Sequence, residues 1–228
     1  MLLALDIGNT NITLGVFDGE LLRFTARLAS NESLTSDQYA YEIKNILSLY
    51  GKNPTEIDDC IVSSVVPGIE SSILKALSNI CDVVPLTIGP GIKTGLNIKI
   101  DNPAQLGADL VAGAVGAISE YTLPCIIIDM GTATTVSVID KNGCFLGGSI
   151  AAGVRLTLKA LCENTAQLPS TQITAPPSVI GTNTTDCMKS GLVFGTAAMI
   201  DGLVERIKEE IGENACVIAT GGLSRDIV

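Results

Sequence analysis

The stretch "LLALDIGNTNITLGVFDGE", residues 2–20, decides how this chain is read. An apolar run ends in Asp6, Gly8 follows, then small polar residues, and apolar alternation resumes before Asp18 and Gly19. The pattern predicts strands over 2–7 and 11–17 joined by a small-residue turn, then a tight Asp18-Gly19 hairpin into a third strand at 21–28. It returns 123 residues later in "IIIDMGTATTVSVIDKNG", 126–143, where Asp129 stands for Asp6 and Gly131 for Gly8. A single Asp-x-Gly is most simply an ordinary turn. Two in equivalent places imply duplicated units whose turns aim backbone N–H groups at a phosphate, with a carboxylate at each strand end to meet a cation or position water.

Outward from the first hairpin, Tyr39, Ile43, Ile46, Leu47 and Tyr50 mark one helical face that stops at Gly51. A buried strand, "CIVSSVV" at 60–66, and a helix carrying Ile69, Ile73, Leu77 and Ile80 come next. In "DNPAQLGADLVAGAVGAI", 101–118, Asn102 reads as the N-cap, Pro103 as the first helical residue and Gln105 as the capping-box partner. Leu106, Leu110, Val111, Ala114, Val115 and Ile118 supply its apolar face, and Asp109 falls on another face lined by small residues. The second copy is expected as strands over 125–130, 134–140 and 144–150, then helical spacing at 154–162. One long helix at 183–212, with Met188, Leu192, Met199, Leu203, Ile207 and Ile211 as its stripe, precedes a strand running into Gly221-Gly222. Glycines inside that helix weaken it, so they suggest close approach by another helix or a ligand. Thr184 reads as a cap of the same helix.

Composition bounds the function. The 228 residues are 46% hydrophobic, enough for a packed α/β core. A formal charge of −10 argues against nucleic-acid or anionic-membrane surfaces, which need clustered Lys or Arg. The apolar start, interrupted by Asp6, is too short for a secretory signal, and no uninterrupted apolar run approaches a membrane span. The seven cysteines stand singly, with no C-x-x-C, and read as small core residues in a reducing, cytoplasmic compartment. With no histidine, Ser-His-Asp hydrolysis, Cys-His proteolysis and the common zinc sites drop out. No Walker-type P-loop is present, and "GPGIKTG" at 89–95 is one residue too long for a dinucleotide fingerprint. Acid-base work therefore falls to carboxylates.

With "DIGNTN", "VSSVVP", "GPGIKTGLNI", "DNPAQLGAD", "IDMGTATT", "GGSIAAGVRL", "TAQLP", "SGLVFG" and "TGGLS" in that order, the chain resembles type III pantothenate kinases end to end. These belong to the acetate and sugar kinase, Hsp70 and actin superfamily. The resemblance implies two duplicated ribonuclease H-like, actin-like ATPase domains, 1–118 and 119–228, with a cleft between them, and a terminal helix missing after residue 228. It implies ATP-dependent phosphorylation of pantothenate, the first step towards coenzyme A, with Mg2+ accompanying ATP, a monovalent K+ or NH4+, and a homodimer. By position, Asp6, Ile7, Gly8, Asn9, Thr10, Asn11, Ile12 and Thr13 match the first phosphate loop, Asp6 lying near magnesium. Gly107, Ala108, Asp109 and Leu110 match the substrate motif, with Asp109 as general base. Asp129 matches the monovalent-cation ligand, Thr132 an ATP contact, Gly221 and Gly222 the adenosine turn, and Thr184 a substrate contact across the dimer. Three positions depart from the pattern: Leu110 replaces an arginine, Ile100 a tyrosine, and "IAAG" at 150–153 an "IAPG". The first two bear on the substrate, so a kinase of another small alcohol and a nonenzymatic nucleotide-binding regulator are the alternatives.

Overall fold

The computed structural model describes residues 1–227, which pack as two units. The first comprises Met1–Lys93 and Ala104–Ala112; the second comprises Thr94–Pro103 and the chain from Gly113 onward. In the first, β1 (Leu2–Ile7), β2 (Asn11–Asp18) and β3 (Leu21–Ala29) form an antiparallel meander, α1 (Ser36–Leu49) follows, and β4 (Asp59–Ser64) returns parallel to β1. α2 (Pro67–Ile80) and the short β5 (Leu86–Thr87) complete a sheet ordered β3-β2-β1-β4-β5. Strand alternation sends Leu3, Leu5, Ile7, Ile12, Leu14 and Val62 to one face, where Tyr39, Ile43 and Leu47 of α1 and Ile69, Ile73 and Leu77 of α2 close the core. The opposite face carries Asp6.

The second unit repeats the plan. β7 (Cys125–Met130), β8 (Ala133–Ile139) and β9 (Cys144–Ala152) form the meander, α4 (Val154–Glu163) and α5 (Thr184–Ile211) follow, and β10 (Cys216–Thr220) runs parallel to β7. β6 (Asn97–Ile98) adds to β9, so the order is β10-β7-β8-β9-β6, and the extra fifth strand lies on the edge opposite to that in the first sheet. A short α6 (Ser224–Ile227) ends the described chain. The copies share their irregularities: the register shifts between Val16 and Phe17 in one meander and between Val138 and Ile139 in the other, positions that correspond. The two mixed five-stranded sheets repeat one plan, as the paired hairpins implied, and it is the ribonuclease H-like plan that the resemblance implied.

Several local expectations are corrected. Pro103–Gln105 forms a separate 3-10 turn, and α3 (Ala108–Glu120) begins only at Ala108, so Asn102 does not cap it. Gly107 is the residue before the helix, its carbonyl accepting the Val111 N–H at 3.0 Å. The buried positions of α3 are Ala108, Val111, Ala114 and Ala117, and Leu110, Val115 and Ile118 are only half-buried. Thr184 is the first residue of α5 and not its cap; Asn183 caps it by accepting the Asp186 N–H at 2.9 Å. Gly191 and Gly195 in α5 are exposed, with no atom from elsewhere in the described chain near a Cβ built on either, so nothing among the described residues accounts for them. Cys187 is also exposed, unlike the buried Cys60, Cys81, Cys125 and Cys144.

Candidate active site

The β1–β2 turn is held before any ligand meets it. The Gly8 N–H donates to Asn11 O at 3.0 Å, the Ser30 N–H donates to Thr10 O at 3.0 Å, and the Ser30 hydroxyl donates to Gly8 O at 2.5 Å. Ile7 and Ile12 are fully buried, so these two offer a ligand only their backbones, whereas Asn9, Thr10 and Asn11 are exposed. Asp6 leaves the end of β1 on the face away from the core. It keeps solvent access, yet the surrounding protein removes enough water to push its carboxyl above the ordinary carboxylate range. The Ser63 hydroxyl pulls the other way, and the negative charge of Asp109 raises it further. Ser63 faces Asp6 because β4 runs parallel to β1 with those two residues in register. It was missed in the sequence, where the signal was a polar residue inside an otherwise apolar strand.

Asp109, in the first turn of α3, lies near enough for its charge to act on Asp6. The Leu110 N–H donates to Asp109 Oδ1 at 2.8 Å, fixing one carboxylate oxygen. Space for that oxygen comes from Gly107, where a Cβ would lie 2.5 Å from it. Beside Gly107 opens a cleft of about 580 Å³, lined by Ser64, Val65, Glu70, Gly89, Leu106 and Ala108 among others, with Glu70 its one charged residue. The structure thus brings Asp6, Gly107, Ala108, Asp109 and Leu110 together in the first unit. Among the described residues no cluster of three or more His, Cys, Asp or Glu is placed to hold a metal alone. Asp6 and Asp109 do supply hard oxygen donors, which suits a magnesium ion that keeps water and phosphate oxygens in its shell.

The second unit places Asp129, Thr132, Gly221 and Gly222 around the end of β7. Its turn is one residue shorter: three residues separate the paired Met130 and Thr134, where four separate Ile7 and Ile12. The pinning is the same, because the Gly153 N–H donates to Thr132 O at 3.1 Å just as Ser30 bonds Thr10 after the equivalent strand. A Cβ on Gly153 would strike Thr132 O at 2.3 Å, so glycine is required there. Gly221, at φ +93°, packs on Met130 and on the Asp129 carboxylate, where a Cβ would lie 2.6 Å from Oδ1. Its small size therefore serves the protein's own carboxylate, and Gly222 is the glycine that faces open space. Ile100 belongs to this unit and approaches Gly147, whereas Leu110 belongs to the first; Thr184 is exposed at the start of α5.

Comparison with known proteins adds an independent line. A family model for type III pantothenate kinase matches residues 2–206. The type III pantothenate kinase of Bifidobacterium animalis subsp. lactis is 43% identical over 99% of this chain and 89% of that protein. That of Halalkalibacterium halodurans is 42% identical over the same shares. Among solved structures, a Campylobacter jejuni protein assigned to the Baf family of transcriptional activators is similar with a TM-score of 0.60 at 21% identity, over 99% of this chain and 85% of that one. An ADPNP-bound activator of 2-hydroxyisocaproyl-CoA dehydratase from Clostridium difficile gives 0.51 at 14%, over 99% and 81%. At such identities the two structures bear on the fold alone, and the family rests on the sequence matches. On those matches, the chain belongs to the type III pantothenate kinase family.

Proposed function

We propose that this chain transfers the γ-phosphoryl group of ATP to the hydroxyl of pantothenate, giving 4′-phosphopantothenate for coenzyme A synthesis. The observation that carries the reading is that Asp6, from a strand end, and Asp109, from a helix start, lie near enough for the charge of Asp109 to act on the Asp6 carboxyl. Asp109 takes the proton of the attacking hydroxyl on the carboxylate oxygen that Leu110 leaves free. Asp6 meets the metal-bound phosphates, and the exposed residues of the Gly8–Thr10 turn present backbone amides to them. Magnesium, when bound, supplies charge neutralisation for those phosphates. Asp129 holds the monovalent cation, potassium or ammonium, its carboxylate oriented by Gly221.

The substrate side is less well equipped. No basic residue lines the cleft beside Gly107, and Leu110 offers no charge to the pantothenate carboxylate. Substrate binding is accordingly weaker than an arginine at 110 would give. Two copies assemble through α5, and Thr184 reaches the partner's substrate. Support comes from the exposed small residues Cys187, Gly191, Gly195 and Ala198, spaced along one side of that helix. Among the described residues α5 is also the one helix long and apolar enough to cross a membrane, a property that a helix covered by a second copy shares. The compartment that supplies ATP and keeps thiols reduced, the cytoplasm, fits the free cysteines.

A coupled assay of ADP release against pantothenate and related alcohols tests the reading. Turnover should be found with pantothenate and should fall roughly 10²-fold or more in Asp109→Asn, the contribution of a positioned base. ATP binding without phosphorylation of any alcohol would favour a regulator, and efficient turnover of a different alcohol would replace the substrate. Wild-type activity should rise with potassium or ammonium over sodium, and Asp129→Ala should lose that preference.

A further inference from the structure

We propose that Arg27 is the phosphate-holding cation of the first unit, gripping the γ-phosphoryl group that Asp6 and its metal present. The inference rests on the reading of Asp6 given above. In-register residues on neighbouring strands point to the same face of a sheet, whether the strands run parallel or antiparallel. Asp6 of β1 pairs with Thr13 of β2, Thr13 pairs with Arg27 of β3, and Asp6 pairs on its other side with Ser63 of β4. Arg27, Thr13, Asp6 and Ser63 therefore form one row across the face opposite the core. Arg27 is exposed and, among the described residues, makes no side-chain hydrogen bond or ion pair. Two strand spacings, about 10 Å, separate its Cα from that of Asp6. An extended guanidinium leaning over the small Thr13 and a phosphoryl group beside Asp6 meet across that distance.

The duplicated unit supplies the contrast. There Asp129 pairs with Thr135, Thr135 with Ile150, and Asp129 on its other side with Thr220. The row is again hydroxyl, carboxylate, hydroxyl, but its outer member is Ile150, 76% exposed, where the first unit has arginine. A solvated outer position that accepts isoleucine in one copy places no structural demand for charge in the other. In a chain of net charge −10, this arginine sets a cation on the carboxylate's own face, where a phosphate beside Asp6 would meet it. Arginine suits phosphate oxygens through paired, charge-assisted hydrogen bonds that lysine cannot reproduce.

Calorimetric titration of wild type, Arg27→Ala, Arg27→Gln and Arg27→Lys with ADP and with the β,γ-imido analogue of ATP, both with magnesium, tests this. Steady-state kinetics accompany it. Removing the guanidinium should weaken the imido analogue about tenfold or more and leave ADP within about twofold, with turnover falling 10- to 100-fold and Arg27→Lys recovering part of both. Equal weakening of the two nucleotides, or no change in either, overturns the assignment. Asp6→Asn separates this from the parent reading. If Asp6→Asn is inactive while the Arg27 variants behave as wild type, only the Arg27 assignment falls; if Asp6→Asn turns over normally, the Asp6 reading falls and takes this one with it.

Discussion

A Cβ on Gly107 would come within 2.5 Å of Asp109 Oδ1, and no backbone atom is as near, so alanine there displaces the carboxylate and not the fold. Gly107→Ala should keep the wild-type melting temperature yet lose about 10- to 100-fold in kcat, because a shift of about an ångström at a reacting group costs that much. Wild-type kcat in this variant would mean that the Asp109 rotamer described above is not the working one. Leu110 is tested in the opposite direction. With no cation lining the neighbouring cleft, Leu110→Arg should lower KM for pantothenate with little change in kcat, the signature of strengthened ground-state binding. An unchanged KM would show that the carboxylate is met elsewhere. Asp6 stood out in the sequence through its duplicated turn, whereas Asp109, by itself most simply a solvated helical charge, was singled out through the family resemblance of its Gly-Ala-Asp setting. Ser63 was not, because only the parallel pairing of β4 with β1 reveals that it shares a face with Asp6.

Among the elements, the β8–β9 turn is anchored by one carboxylate. Asp140 accepts the N–H groups of Asn142 and Cys144, each at 2.8 Å, and pairs with Lys99 Nζ at 3.3 Å. The Cys144 N–H is the largest influence in bringing its carboxyl down to about 2, followed among the lowering contacts by the Asn142 N–H and Lys99. A folded pKa depressed below the unfolded value of about 3.9 contributes stability that is complete above the unfolded value and is lost as pH falls towards 2. Asp140→Asn should therefore cost about 1 kcal/mol at neutral pH through the lost charge-assisted bonds, with the gap closing between pH 4 and 2 in urea melts. A gap that stays constant over that window would remove the carboxylate charge from the account. Long periodic elements such as α1, α2 and both meanders were readable from apolar spacing. The two-residue strands β5 and β6 were not, since they exist only through the edges they pair with. The start of α3 misled because Asn102, Pro103 and Gln105 satisfy a capping pattern that the chain uses for a 3-10 turn.

At the scale of the whole molecule, duplication was visible in two short motifs, and the structure extends it to the strand register, the pinned turns and the hydroxyl-carboxylate rows. What one chain's sequence cannot display is the surface it reserves for another. The dimer proposed above would place that surface on the exposed glycines of α5. Gly191→Glu adds bulk and charge where no described residue is in the way, so the monomer should fold while, on the proposed assembly, the mass by light scattering falls from that of a dimer to that of one chain. If Thr184 serves the partner's substrate as proposed, turnover should fall with it. A variant that remains dimeric would move the interface away from this side of α5.

The shifted register in each meander has a consequence for how length changes are borne. The Asp18↔Leu21 turn, if its pairing ran on unbroken, would seat Ala26 opposite Thr13 and rotate Arg27 towards the apolar side; the unpaired Arg23 advances the strand by one and seats Arg27 instead. In the second copy the unpaired Leu146 does the same, seating Ile150 in place of Ser149 opposite Thr135. Each hairpin therefore carries a single residue of slack. Deleting Arg23 should be absorbed by ironing out the bulge, leaving the outward row intact. An added residue between Arg23 and Arg27 finds no such reserve and inverts every side chain beyond it.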